Sequence, residues 1–180
     1  MSADPVARLY LIRHAKAASR DRWEGPDAAR PLTDRGRRQA AAIGAAIAKR
    51  DGTHISRLVT SPALRCRDTM APLACSLGLE LEEAEWLLEG ADPPAALGRL
   101  GRLAGALGIP PVAGARSDCS GAVVACTHGD IMWAVLDYLA RRGVDLGPDP
   151  GAPKGAVWVL DYDGTEVSRA ELLLPGGEEK

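Results

Sequence analysis

The 180-residue sequence predicts an α/β fold, with a mainly parallel sheet flanked by helices on both faces. Two observations carry that prediction. Short apolar runs alternate along the chain with longer segments of helical period. One run, Gly121–Thr127 (GAVVACT), is continuously apolar, as a strand covered on both faces must be.

The elements follow in order. Ala7–Ile12 reads as a short buried strand, and the polar loop Ala17–Pro31 follows it. Thr33 suits the N-cap of a helix running to about Arg50, with Ala40, Ile43, Ala46 and Ile47 on its apolar face. Arg57–Thr60 is a second strand. Ser61-Pro62 then pairs an N-cap residue with proline at the first helical position. That helix is expected to stop near Leu77-Gly78, where glycine can leave the helical conformation.

Leu79–Glu83 reads as an edge strand, and Pro93-Pro94 open a helix to about Leu107. A Gly/Pro loop, Ile109–Gly121, leads into the apolar strand. Asp130–Arg142 is the last helix. Ala156–Tyr162 and Glu166–Leu174 are two strands joined through Asp163-Gly164, a hairpin signal. Gly176–Lys180 reads as a disordered tail. No repeat, low-complexity stretch or internal boundary divides the chain. It is expected to be one domain over residues 1–180, ordered from about 5 to 175.

Composition narrows the function classes. No apolar run is long enough to span a bilayer, and Met-Ser-Ala-Asp-Pro lacks the basic-then-apolar pattern of a secretion signal. The expectation is a cytoplasmic protein without a membrane partner. Cys66, Cys75, Cys119 and Cys126 show no paired spacing and no histidine at ligand distance in sequence, so no metal site is expected; they read as reduced, mostly buried thiols. Residues 1–67 carry 14 Lys and Arg against 6 Asp and Glu, whereas residues 68–180 carry 8 against 18. The basic third suits a small anionic group. No basic stripe interleaved with aromatics points to nucleic acid.

Ligands of open α/β sheets bind beyond the carboxyl ends of the strands. Here those ends read Arg13-His14, Thr60-Ser61 and Thr127-His128. His54 falls in a polar turn and receives no role. Arg65 and Arg67 lie two apart on one helix, so only one of them can face inward. A neutral imidazole of fixed tautomer is a competent nucleophile. A phosphoryl dianion repels such an attack unless cations neutralise its nonbridging oxygens. Arg13, Arg65 and His128 could supply those donors from three separate segments, and such a pocket needs no metal.

The stretches LIRHAKA, RPLTDRGRRQA, LVTSPALRCRDT and VVACTHGD resemble, in this order, the histidine phosphatase superfamily, whose fold is phosphoglycerate mutase-like. The arrangement is most similar to the short SixA-type phosphohistidine phosphatases, and also to phosphatase domains fused to Nudix hydrolases. It covers roughly residues 7 to 140. The resemblance implies that His14 is the nucleophile and forms a phosphohistidine. It implies that Arg13 and Arg65 bind the phosphoryl oxygens, that His128 stabilises the transition state, and that no cofactor is needed. The substrate would be a phosphorylated small molecule or a phosphohistidine-bearing protein. Many relatives place a Glu in an L-x-E pattern as proton donor; Leu87-Leu88-Glu89 offers Glu89, with Glu82, Glu83, Glu85 and Asp130 as competitors. Asp130 otherwise suits the N-terminus of its helix. SixA-type proteins need no such Glu.

Arg20, Trp23 and Arg30 in the Ser19–Pro31 loop could contact substrate beyond the phosphate, with Ser61 and Thr127 as further candidates. Three alternatives stand beside hydrolysis. A phosphomutase would use the same chemistry, but the chain is short for it. A noncatalytic phospho-ligand module would keep the fold; the intact Arg13 and His14 argue against it. Finally, Asp161-Tyr162-Asp163-Gly164-Thr165 resembles the D-x-D-G-T motif of magnesium-dependent haloacid dehalogenase-type phosphatases, but only 17 residues follow Asp163, too few for that fold.

Overall fold

Alternation along the central strands sorts their side chains into two cores, one on each face of a single sheet. On the first strand, β1 (Ala7–Arg13), Leu9 and Leu11 point to one side, and Tyr10 and Ile12 to the other. The computed structural model describes residues 7–105, 121–163 and 166–175.

After β1 come α1 (Asp34–Asp51), β2 (Ile55–Thr60), α2 (Leu64–Leu77), β3 (Leu81–Glu83), α3 (Pro93–Gly105), β4 (Ala122–Thr127), α4 (Gly129–Arg141), β5 (Val157–Tyr162) and β6 (Val167–Leu173). The strand order is β3-β2-β4-β1-β5-β6. β3, β2, β4 and β1 pair in parallel, and β5 and β6 close the sheet antiparallel. The fold is therefore mixed α/β and mainly parallel, with helices on both faces.

α1 and α2 cover one face through Ile43, Ile47, Met70 and Leu73. α3 and α4 cover the other through Leu100, Met132, Val135 and Leu139. Each such buried aliphatic side chain contributes about 1.5–3 kcal/mol by leaving water. Gly44 lets α1 approach α2, since a Cβ there would lie 3.1 Å from the Leu73 nitrogen. The buried face of α1 thus uses Gly44 where the periodicity had suggested Ala46, which is only half-buried.

Register places the functional end. Arg13 pairs with Thr127 and Thr60 with Cys126, so β1, β2 and β4 finish side by side. At the opposite end Arg8 donates to Asp161 Oδ1 and to Asp51 Oδ2, both at 2.7 Å, and the Tyr10 hydroxyl also donates to Asp51. Burial would raise the Asp51 carboxyl, but the bonds from Tyr10 and Arg8 hold it below its ordinary range.

Several sequence expectations need correction. Ser61 does not cap α2: Ala63 occupies the N-cap with no side-chain bond, and the helix starts only at Leu64. The Ser61 hydroxyl is instead engaged by a histidine, described below. β2 begins earlier than expected, because Ile55 already pairs with Ala122, whereas β3 starts only at Leu81. Cys66 and Cys126 are buried but Cys75 is exposed, and Cys119 lies outside the described residues. So do the 109–120 loop, Gly164 and the 176–180 tail. Asp163 Oδ1 accepts from the Glu166 nitrogen, as a hairpin turn requires, and Asp161 is engaged by Arg8 far from β1's carboxyl end. Among the described residues no helix is long and apolar enough to cross a membrane.

Candidate active site

His14 follows β1 directly. Its nitrogen donates to Thr127 O at 3.0 Å, and Gly155 N donates to both Arg13 O and His14 O at 3.2 Å. The backbone on both sides of the ring is therefore fixed. His14 Nδ1 lies 2.8 Å from Ala15 O. A carbonyl only accepts, so Nδ1 carries the proton and Nε2 keeps its lone pair. Burial above all, and then the positive charge of Lys154, pushes the imidazole down to about 2. It is a neutral ring with one tautomer.

Arg13, at the end of β1, donates through Nη1 to Ala152 O. Its guanidinium is packed against Gly129, the first residue of α4, so closely that a Cβ there would lie 2.9 Å from Cζ. Arg65, in the first turn of α2, is 2 % exposed. Its Nη1 donates to Asp27 O and its Nη2 to Glu89 Oε2, both at 2.9 Å. Arg67, two residues on, is exposed and pairs with Glu83. Among the described residues, Arg13 Nε and Arg65 Nε are the buried side-chain polar atoms without a partner. An unpaired buried donor costs about 1–3 kcal/mol. Such donors on two guanidinium groups suit a site that an anion completes.

His128 occupies the N-cap position of α4 and is 1 % exposed. Its Nδ1 lies 3.2 Å from Arg65 Nη2 and its Nε2 lies 2.9 Å from Ser61 Oγ. A guanidinium only donates, so Nδ1 accepts and the Nε2 proton goes to Ser61. The two imidazole centroids are 5.3 Å apart. Thr69 links the halves of the site: its Oγ1 accepts from Ala15 N at 3.0 Å and donates to Arg65 O at 2.6 Å.

A cavity of about 550 Å³ has Arg13, His14, Glu89 and His128 in its wall; Arg65 is not part of that wall and reaches it through its bonds to Glu89 and His128. Glu89 Oε2 accepts from Arg20 Nη2 at 2.6 Å as well as from Arg65. Its competitors are elsewhere: Glu82 pairs with Arg57, Glu83 with Arg67, and Glu85 begins a short 3-10 turn that does not line the cavity. Asp130 lies in α4's first turn, as expected of an acidic residue, and its carboxylate has a further use. Its Oδ2 accepts from Gly90 N at 2.6 Å and so holds the turn that carries Glu89.

The expected substrate contacts divide. Arg20 and Arg30 line the cavity, yet both are engaged by Asp27. Burial would raise the Asp27 carboxyl, but Arg30, Arg65 and Arg20 hold it at about 2. Trp23, Ser61 and Thr127 are absent from the wall. The Trp23 indole donates to Pro26 O within its own loop, Ser61 supports His128, and the Thr127 hydroxyl donates to Leu87 O at 2.9 Å. Each polar atom is consumed by the scaffold.

Sequence reasoning missed Lys16, Arg35, Gln39 and Lys154, which also line the cavity. Lys154 comes from the loop before β5. Its motif is silent, and only the antiparallel pairing of β5 with β1 brings it to His14. Among the described residues, no group of three or more His, Cys, Asp or Glu could hold a metal ion.

Residues 9–91 match the model of the histidine phosphatase superfamily (branch 1). An 8-oxo-(d)GTP phosphatase of Mycolicibacterium smegmatis is 31% identical over 173 residues, which are 94% of this chain and 49% of that protein. The chain thus spans about half the length of that curated relative. The protein histidine phosphatase SixA, solved with tungstate, superposes with a TM-score of 0.68 at 20% identity, over 93% of this chain and 97% of that one. A mycobacterial glucosyl-3-phosphoglycerate phosphatase gives a TM-score of 0.62 at 20% identity, over the same shares of the two chains, 93% and 97%.

Proposed function

We propose that the chain is a metal-independent phosphatase of the histidine phosphatase superfamily, hydrolysing a phosphomonoester or a protein phosphohistidine through a covalent phosphohistidine on His14. One observation carries this reading above the others. The His14 ring is neutral, and its proton is committed to Ala15 O, so Nε2 holds a lone pair at a cavity lined by Arg13, with Arg65 bonded to the lining residues Glu89 and His128.

In the first step Nε2 attacks phosphorus as the bond to the leaving oxygen breaks. Arg13 and Arg65 neutralise the nonbridging oxygens, and their unpartnered Nε–H groups gain acceptors. His128 serves the charge that develops through Arg65: its Nδ1 accepts from Nη2 and so holds the guanidinium, while its Nε2 proton is held by Ser61. The leaving oxygen needs a proton, and Glu89 is the acid at the cavity wall. In the free protein the Glu89 carboxylate accepts from Arg20 and Arg65; a phosphoryl group competes for Arg65, and the freed carboxylate takes up a proton from water or from a monoanionic substrate before passing it to the leaving oxygen. In the second step water attacks phosphorus, the P–N bond breaks, Glu89 takes the water proton, and phosphate leaves.

The phosphatase names of the relatives support hydrolysis over phosphoryl transfer between substrates. They are directed at unlike substrates, so what they share is the phosphoryl chemistry. Release of inorganic phosphate from p-nitrophenyl phosphate tests the reading. His14→Ala should lower turnover by about a thousandfold or more while circular dichroism stays unchanged. Turnover that persists in a folded His14→Ala protein would refute it, and so would phosphate binding without any turnover in the native chain.

A further inference from the structure

The cavity is far larger than a phosphoryl group, and its charge continues away from the nucleophile. Arg20 and Arg30 are neutralised by Asp27 and Glu89. Lys16, Arg35 and Lys154 also line the cavity, and none of them forms an ion pair among the described residues. The cluster is built by the scaffold. Gln39 Oε1 accepts from Lys16 N at 3.0 Å, and Gln39 Nε2 donates to Lys154 O at 3.4 Å. One side chain of α1 therefore joins the two loops that carry the lysines. Arg35 lies one turn before Gln39 on the same face of α1. Gly36, next to Arg35, is pressed onto the Lys16 carbonyl, where a Cβ would fall 2.0 Å from the oxygen. No Cβ-bearing residue fits there without moving the loop.

Three cations without an ion-pair partner around one concavity favour an anion that joins them. Lys154 also feels the cations at the phosphoryl end of the cavity, with Glu89 opposing them. Desolvation at the wall, then Arg13, Arg30 and Arg65, hold its ammonium at about 8, although much of the side chain is exposed to solvent.

We infer that Lys16, Arg35 and Lys154 form a second anion subsite, so that the preferred substrate is a small molecule bearing another anionic group, phosphate or carboxylate, beside the phosphoryl group that is transferred. This rests on the phosphatase reading for the first group. A phosphohistidine on a protein surface carries no such second charge of its own and would leave the subsite empty.

Calorimetric titration of the full chain with stable ligands tests this without turnover. The probes are alkylphosphonates, ω-phosphonocarboxylates and alkane diphosphonates of graded chain length. At the best length a second anionic group should tighten binding about tenfold, the size of one charge-assisted contact. A diphosphonate gain alone identifies phosphate as the second group; an equal gain for the carboxylate identifies charge alone. The Lys16→Ser/Arg35→Ser double variant should reduce that gain to less than about threefold. Equal affinity for mono- and bis-anions at every length, no binding of any probe, or a gain that survives the double substitution would overturn the subsite. Activity of the native chain on p-nitrophenyl phosphate, measured separately, reports whether the phosphatase reading stands when the subsite fails.

Discussion

The Arg13 guanidinium fills the space that a side chain at residue 129 would need: a Cβ on Gly129 would lie 2.9 Å from both Cζ and Nη2 of Arg13. The carboxyl end of β1 and the first residue of α4 are thereby matched, with glycine allowing the cation to lie against the helix start. Alanine is otherwise a better helix residue than glycine. Gly129→Ala should therefore leave thermal stability unchanged or slightly raised, yet lower kcat/KM for p-nitrophenyl phosphate about 10- to 100-fold by displacing a phosphoryl donor. Parallel melting and kinetic measurements check this. Native activity in the variant would show that Arg13 can move freely and is not held for function.

The buried, neutral His14 predicts a pH dependence of folding. Its imidazole is lowered from 6.5 to about 2 in the folded chain, chiefly by burial. Between those values the unfolded chain binds a proton that the folded chain does not, so stability is lost as pH falls below about 6.5. His14→Asn removes this contribution but keeps a side-chain amide near Ala15 O. Urea midpoints at pH 7 and 5 should converge more in the variant than in the native protein. Identical pH dependence in both would mean that the ring is not held neutral.

Glu89 and Asp130 form a donor and its support. Asp130 Oδ2 accepts from Gly90 N, and Gly90 has the left-handed φ of 81° that turns the chain after Glu89. Glu89→Gln should slow alkyl phosphates about 100-fold and aryl phosphates much less, because poor leaving groups depend most on the proton. Asp130→Ala should reproduce that selectivity with a smaller effect, about tenfold on alkyl phosphates. Equal losses on both substrate types would reassign Glu89 to charge alone.

The sequence reveals this site unevenly, for physical reasons. Arg13, His14 and His128 are legible because buried apolar runs stop just before them, and such runs end where ligands bind. Arg65 is separable from Arg67 only as one of an inward and outward pair. Ser61 and Thr127 sit at equally suggestive strand ends, but nothing local tells whether a hydroxyl turns to the cavity or to a neighbour. Ser61 turns to His128 and Thr127 to Leu87 O. Lys154 carries no local signal: only the return of β5 alongside β1 brings it to the nucleophile. The role of Gly129 depends on a contact with Arg13 across 116 positions of chain, which no pattern within either segment encodes.

The nucleophile is the claim on which all the chemistry depends. Rapid mixing of the native protein with a radiolabelled aryl phosphate, an alkaline quench, and mass-spectrometric mapping of the labelled peptide tests it most directly. One phosphoryl group, stable to base and labile to acid, is expected on His14, formed at least as fast as turnover. Turnover with no label at His14, or with the label on a carboxylate or hydroxyl, would contradict it.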